Sequence, residues 1–319
     1  MKAAVLVEKE RFEIQEVTLP PVGDNQILIK IHACCICNAT DMKLFKGVHN
    51  ASKFPLVIGH ECSGIVVETG KNIVDTKIGD RVVCGVFENT QKIDSLWGGY
   101  AEYGITTPKD IAPIPDSVSF THATLGVMLS EAINAVRIAD IKPGARVVIV
   151  GSGAVGLNLL TVLNNTYAES ITVVDISDEK LKLAQELGAD YTFHAEDSQI
   201  VEKITANGGA DYVFEAVGKM ETYEMISKII NRNATIVPFG VISGDMTFPF
   251  RWFYSKQAKI CWCGASGDTP VLNKKIALNM IKKGQVSLKL ITNTYKLSDI
   301  NKAFSKLSEG NEIRVIVEI

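Results

Sequence analysis

The chain has 319 residues, 46% of them hydrophobic and 22% charged, which is longer than one typical domain and has the composition of a soluble globular protein, so two domains are expected. Its formal net charge of -3, with Lys and Arg scattered, leaves no basic footprint for nucleic acid, and no apolar run approaches the length of a membrane span. Seven cysteines, an odd number in a long chain, argue against a disulfide framework, and the opening MKAAVLVEKE meets charge too soon for a signal-peptide core, so the expected location is cytoplasmic.

Residues 1–118 read as a β-rich unit. Residues 3–7 and 12–17 flank a charged turn, 27–31 alternate apolar and polar positions, and 65–67 and 82–83 are short β-branched runs. Glycines and prolines punctuate them, among them Pro20-Pro21, Gly59, Gly79 and Gly98-Gly99, which predicts a barrel or sandwich of short strands. From 119 to 139 the spacing becomes helical, with Leu125, Met128, Leu129, Ala132 and Val136 on one face; this helix is expected to bridge the domains. Beyond Ala145, strands near 146–150, 171–175, 191–193, 211–214 and 234–237 alternate with amphipathic helices. That is the pattern of an α/β doubly wound parallel sheet, with its ligand crevice at the carboxyl ends of the strands. Residues 260–263 are expected to form its last strand, followed by helices near 270–283 and 299–307 and a closing strand at 314–318.

Within that alternation, Gly151-Ser152-Gly153-Ala154-Val155-Gly156 lies between the apolar run 147–150 and a helical segment. It is the strand, turn and helix context that a dinucleotide fingerprint requires. Gly151 allows the tight turn, Gly153 lets backbone approach a pyrophosphate, and Gly156 lets the helix pack close to the strand. Free N–H groups from Ala154 and Val155 open that helix towards the phosphates. The next strand ends in Asp175, about 20 residues on, where a carboxylate accepts hydrogen bonds from ribose hydroxyls and repels a 2′-phosphate. The expected cofactor is NAD.

In the β-rich unit, Cys37-Asn38-Ala39-Thr40-Asp41, Gly59-His60-Glu61, Gly79-Asp80-Arg81-Val82 and Gly98-Gly99-Tyr100-Ala101-Glu102-Tyr103 precede the fingerprint. Together with Leu297-Ser298-Asp299-Ile300-Asn301-Lys302-Ala303-Phe304 near the end, they closely resemble the zinc-dependent medium-chain dehydrogenase/reductase family of alcohol, sorbitol and threonine dehydrogenases. The resemblance implies a chaperonin-10-like catalytic domain (1–127 and 267–319) with a Rossmann domain (128–266) inserted, and substrate in the cleft between them. It implies hydride transfer between a zinc-bound secondary alcohol or polyol, or the ketone, and the nicotinamide, with zinc as Lewis acid. Carried over by position, Cys37 and His60 are the first two zinc ligands and Glu61 the neighbouring carboxylate, a ligand or just outside the shell. Thr40 is the hydroxyl that relays the proton, Asp41 the acid that orients a ligand imidazole, and Lys180 a basic residue on the ribose. The family resemblance also suggests a homodimer or homotetramer, paired through an edge strand at 258–264.

Three departures stand out. One extra residue separates Cys37 from Asp41, which is expected to displace Cys37. The usual third ligand position holds Val127, for which Glu131, one helical turn on, is the candidate substitute. Between Val83 and Tyr100 only Cys84 remains of the cysteines that hold a structural zinc elsewhere in the family, so one catalytic zinc and no structural zinc is expected. Two other readings stay open, a zinc-free reductase acting on an activated double bond and a catalytically silent nucleotide-binding homologue. Trp97, Phe250, Trp252 and Phe253 are candidate cleft residues.

Overall fold

The structure is a computed structural model and describes residues 1–51, 53–87, 93–241, 248–263, 269–310 and 312–319. Its chain divides into two compact units, Met1–Ser130 with Thr269–Ile319, and Glu131–Asp268; the division falls within the helix Phe120–Ala139. No helix among the described residues is long and apolar enough to cross a membrane.

In the first unit, one sheet has the strand order Ile291–Lys296, Arg314–Glu318, Ile27–Cys35, Cys62–Thr69, Arg81–Cys84, Ala112–Pro113, with Tyr103–Thr106 also pairing with Ile27–Cys35. The alternation read in the sequence becomes the inward face: Ile27, Ile29, Ile31 and Ala33 are buried while Lys30 points out. A second sheet orders Arg11–Glu16, Lys2–Glu8, Leu56–Val57 and Asp94–Ser95. Between them the core includes a cluster of aromatic rings. Phe12 stacks on Phe45 at 5.6 Å, and Tyr100 meets Phe304 edge-on at 5.8 Å, arrangements that each add about 0.5–1.5 kcal/mol beyond burial. Strand Ile291–Lys296, parallel to Arg314–Glu318, was not expected from the sequence.

The sheet's pairing sets the site. Ile27–Cys35 runs antiparallel to both neighbours, with Cys34 opposite Cys62 on one side and Val317 on the other. The end of the central strand therefore meets the beginnings of the two flanking strands. Cys37, His60-Glu61 and Arg314 emerge at that one end, tied by Cys35 N–H to Glu61 O (2.9 Å) and Ile36 N–H to Val315 O (2.9 Å).

The second unit is a six-stranded, wholly parallel sheet ordered Tyr191–His194, Ser170–Asp175, Arg146–Val150, Ala210–Glu215, Ile230–Pro238, Lys259–Ile260. This is the doubly wound order of a Rossmann domain, with the crevice where the winding reverses beside Arg146–Val150. The last strand is shorter than expected. Its ladder stops at Ile260, after which Cys261 N–H bonds to Ile236 O (2.8 Å) as the partner strand nears its end at Pro238; Gly264 lies outside the described residues. Phe250 and Trp252 are exposed and Phe253 is buried, all on the helix Phe250–Ser255 of this unit.

Candidate metal centre and dinucleotide site

Cys37, His60 and Glu61 place a sulfur, an imidazole nitrogen and a carboxylate oxygen all within 4.8 Å of one another, the one such cluster among the described residues. The extra residue before Asp41 does not pull Cys37 away. A short helix, Thr40–Phe45, starts there; Thr40 N–H donates to Cys37 Sγ (3.4 Å), and Asp41 Oδ2 accepts the Cys37 N–H (3.1 Å). The loop closes over its own additional length.

Asp41 is fully buried and serves both sides. Its Oδ2 also accepts the Tyr100 hydroxyl (2.6 Å), and its Oδ1 lies 3.2 Å from His60 Nδ1. That distance is an ion-pair contact at a poor hydrogen-bond angle, and neither atom has another partner. Because Asp41 occupies the Nδ1 side, Nε2 is left for the ligand position. Burial lowers the His60 pKa, but the Asp41 carboxylate and the Cys37 sulfur more than reverse this and hold it well above the usual value. For Cys37 the burial effect is upward and is outweighed by the His60 hydrogen bond and charge, which bring the thiol down to about 7. The pair is polarised toward thiolate and imidazolium; thiolate is the form that binds metal, and the imidazole releases its proton when it does so.

Glu61 is buried to 1% exposure and paired with Arg314, itself 0% exposed, through Oε2 and Nη2. Neither carboxylate oxygen and no guanidinium nitrogen has a conventional hydrogen-bond partner. A buried carboxylate whose Oε1 has no partner, a low-pKa thiol and an imidazole held from behind form the donor set of a tetrahedral zinc site with an open position. The residues fit the metal. Arg314 was missed at the sequence level: as the first residue of an apolar strand it gave no signal beyond being a lone charge there. Tyr100 was seen only as part of a glycine-rich motif.

The glycine run lies between its strand and its helix. Gly151 has φ 101, a side chain on Gly156 would strike Gly151 O at 1.8 Å, and the Cβ direction of Gly153 faces open space. Gly153 precedes the ten-residue helix Ala154–Leu163, which Ala154 and Val155 open, and the buried Ser152 hydroxyl beside it has no partner. Asp175, at the end of its strand, accepts Ser152 N–H (2.5 Å) and Ser177 N–H (3.0 Å), so it lies against the glycine loop. Lys180 lies in the first turn of the helix Asp178–Glu186, its N–H capped by Ser177. Val127 is buried on the helix Phe120–Ala139, and Glu131 is the first residue of the Rossmann unit.

Comparison with known proteins agrees with this geometry. The alcohol dehydrogenase GroES-like domain family matches residues 23–116 and the zinc-binding dehydrogenase family residues 154–277. An alcohol dehydrogenase of Geobacillus stearothermophilus is 30% identical over 97% of this chain and 96% of its own length. The D-arabitol-phosphate dehydrogenase of Enterococcus avium is 29% identical over 95% and 92%. The crystal structure of 2R,3R-butanediol dehydrogenase from Bacillus subtilis shares the fold with a TM-score of 0.88 at 24% identity, over 100% of this chain and 99% of that one. The fold and site define an NAD-linked oxidoreductase with one catalytic-type zinc centre. The chain belongs to the zinc-dependent medium-chain dehydrogenase/reductase family.

Proposed function

We propose that the protein oxidises a secondary alcohol or polyol to the ketone, or runs the reverse reduction, with NAD(H) as hydride partner. The observation that carries this is the convergence of a sulfur, an imidazole nitrogen and a carboxylate oxygen from Cys37, His60 and Glu61 at the end of one sheet. Zinc held by those three residues supplies Lewis-acid polarisation of the substrate oxygen. Asp41 and Tyr100 hold His60 in orientation, and Arg314 holds Glu61 so that the carboxylate is poised between two positive partners. Thr40, beside Cys37, is the hydroxyl that carries the proton away from the substrate. Glu131 remains a candidate additional ligand, supported by its place one turn from Val127. On the cofactor side Gly151, Gly153 and Gly156 shape the pyrophosphate cradle, with Ala154 and Val155 N–H groups aimed at it, while Asp175 and Lys180 hold the adenosine ribose. Asp175 favours NAD over its 2′-phosphorylated form, because its carboxylate would meet that phosphate with like charge. The working form is a homo-oligomer joined through the edge segment 258–264, as the family resemblance suggests; the described strand at that edge is the two-residue Lys259–Ile260. The test is NADH formation by the zinc-loaded chain with a panel of secondary alcohols and polyols. Turnover on activated alkenes alone, with none of these oxidised, would replace this function with the zinc-free reductase one.

A further inference from the structure

Trp97 is held in a conformation that a bulky residue avoids. Its φ is 71, in left-handed backbone that favours glycine or asparagine. The segment around it is fixed on both sides. Trp97 O accepts Phe87 N–H (3.0 Å), and the preceding Leu96 N–H donates to Val57 O (2.8 Å), just ahead of His60. Asp110 anchors the other arm, its Oδ2 accepting Gly85 N–H (2.7 Å) and Val86 N–H (2.8 Å) and its Oδ1 accepting Nζ of the buried Lys274 (2.9 Å). The outcome is an indole laid against the His60 imidazole, ring centroids 4.7 Å apart at 53°, and only partly buried. Trp97 packs in part against the hydrophobic core of this unit, and its strained, thoroughly held backbone also delivers the indole to a candidate metal ligand, which is where backbone strain gathers at working sites.

We propose that Trp97 is a specificity-determining wall of the substrate position. It admits a carbinol carbon flanked by uncharged, slender C–H-bearing groups and rejects bulky or anionic substituents at that carbon. The aromatic face is electron-rich, so C–H groups of an alkyl or polyol chain pack on it while a carboxylate next to the carbinol is repelled. The rim also limits width, and a hydrophobic wall of this kind discriminates by about ten- to two-hundred-fold. This inference rests on the alcohol-oxidising function proposed above.

Trp97→Gly removes the wall and suits the left-handed backbone, whereas Trp97→Phe keeps a smaller aromatic face. NADH formation by the zinc-loaded full chain is compared on 2-butanol, sorbitol, 1-phenylethanol and lactate. The kcat/KM ratio of 1-phenylethanol to 2-butanol, and that of lactate to 2-butanol, should each rise about ten-fold or more in Trp97→Gly, and less in Trp97→Phe. Ratios unchanged within about two-fold in both variants would overturn the proposal. A second measurement needs no turnover. The chain has three tryptophans, so Trp252→Phe with Trp262→Phe leaves Trp97 as the sole indole. Titration of that metal-free protein with Co(II) should quench its emission at one equivalent. Bound Co(II) without quenching would show that the indole is not at the metal centre. Should the wild-type chain oxidise no alcohol, the proposed function fails, and the Co(II) titration still decides where Trp97 stands.

Discussion

Replacing Arg314 by methionine isolates the buried charge at the metal centre. Arg314 and Glu61 are 0% and 1% exposed, so Arg314→Met removes the guanidinium, fills much of its volume, and leaves the Glu61 carboxylate buried without a counter-charge. Breaking one side of such a pair costs about 3–5 kcal/mol, a large share of a domain's total of about 5–15 kcal/mol. With a slope of about 2 kcal/mol per molar urea, the unfolding midpoint in chelator should fall by about 1.5–2.5 M. Zinc facing Glu61 supplies a second positive partner, so the loss should be clearly smaller when the same unfolding, followed by circular dichroism, is run with zinc present. Adding Glu61→Gln removes the orphaned charge and should recover part of the midpoint in chelator. A single variant as stable as wild type in chelator would refute the ion pair's contribution. A loss of equal size with and without zinc would mean that Glu61 does not face the metal.

Gly153→Ala and Gly156→Ala should behave oppositely. The first points a methyl into open space and should keep stability within about 0.5 kcal/mol while weakening NADH binding in a fluorescence titration, and the second collides with Gly151 O and should cost about 1–3 kcal/mol in thermal unfolding. Asp175→Gly with Ile176→Arg should erode the preference for NAD over NADP in kcat/KM; unchanged selectivity would remove Asp175 from the ribose. Tyr100→Phe deletes the hydroxyl that donates to Asp41 and should weaken zinc binding by about ten- to a hundred-fold in a chelator competition, with little change in NADH affinity.

Legibility in the sequence followed the range of the interactions. The Rossmann half was readable because its signals are local: each glycine acts within a few residues of itself, and Asp175 closes a run of β-branched residues. Strand Ile27–Cys35 was readable from its alternation. Leu56–Val57 was readable as a short apolar run ahead of Gly59-His60-Glu61, whereas the two-residue strands Asp94–Ser95 and Ala112–Pro113 are too short to carry a period, and Ile291–Lys296 exposes most of its residues, so no apolar pattern marked it. At the metal centre, Cys37, His60 and Glu61 were visible as motif residues, but their convergence depends on pairing among strands far apart in the chain. Arg314 reaches Glu61 across 253 positions for that reason, and only the sheet register reveals it. The expected displacement of Cys37 did not occur, because the hydrogen bond from its N–H to Asp41 absorbs the extra residue within one turn.

Zinc held by Cys37, His60 and Glu61 underlies the proposed reaction. The most direct measurement is the metal content of purified wild-type and His60→Ala protein by mass spectrometry, with NADH titration confirming that both Rossmann units are folded. One zinc per chain in the wild type and none in His60→Ala is the predicted result. A wild-type chain purified from zinc-containing medium without zinc, or a His60→Ala chain that keeps a full equivalent, would contradict it.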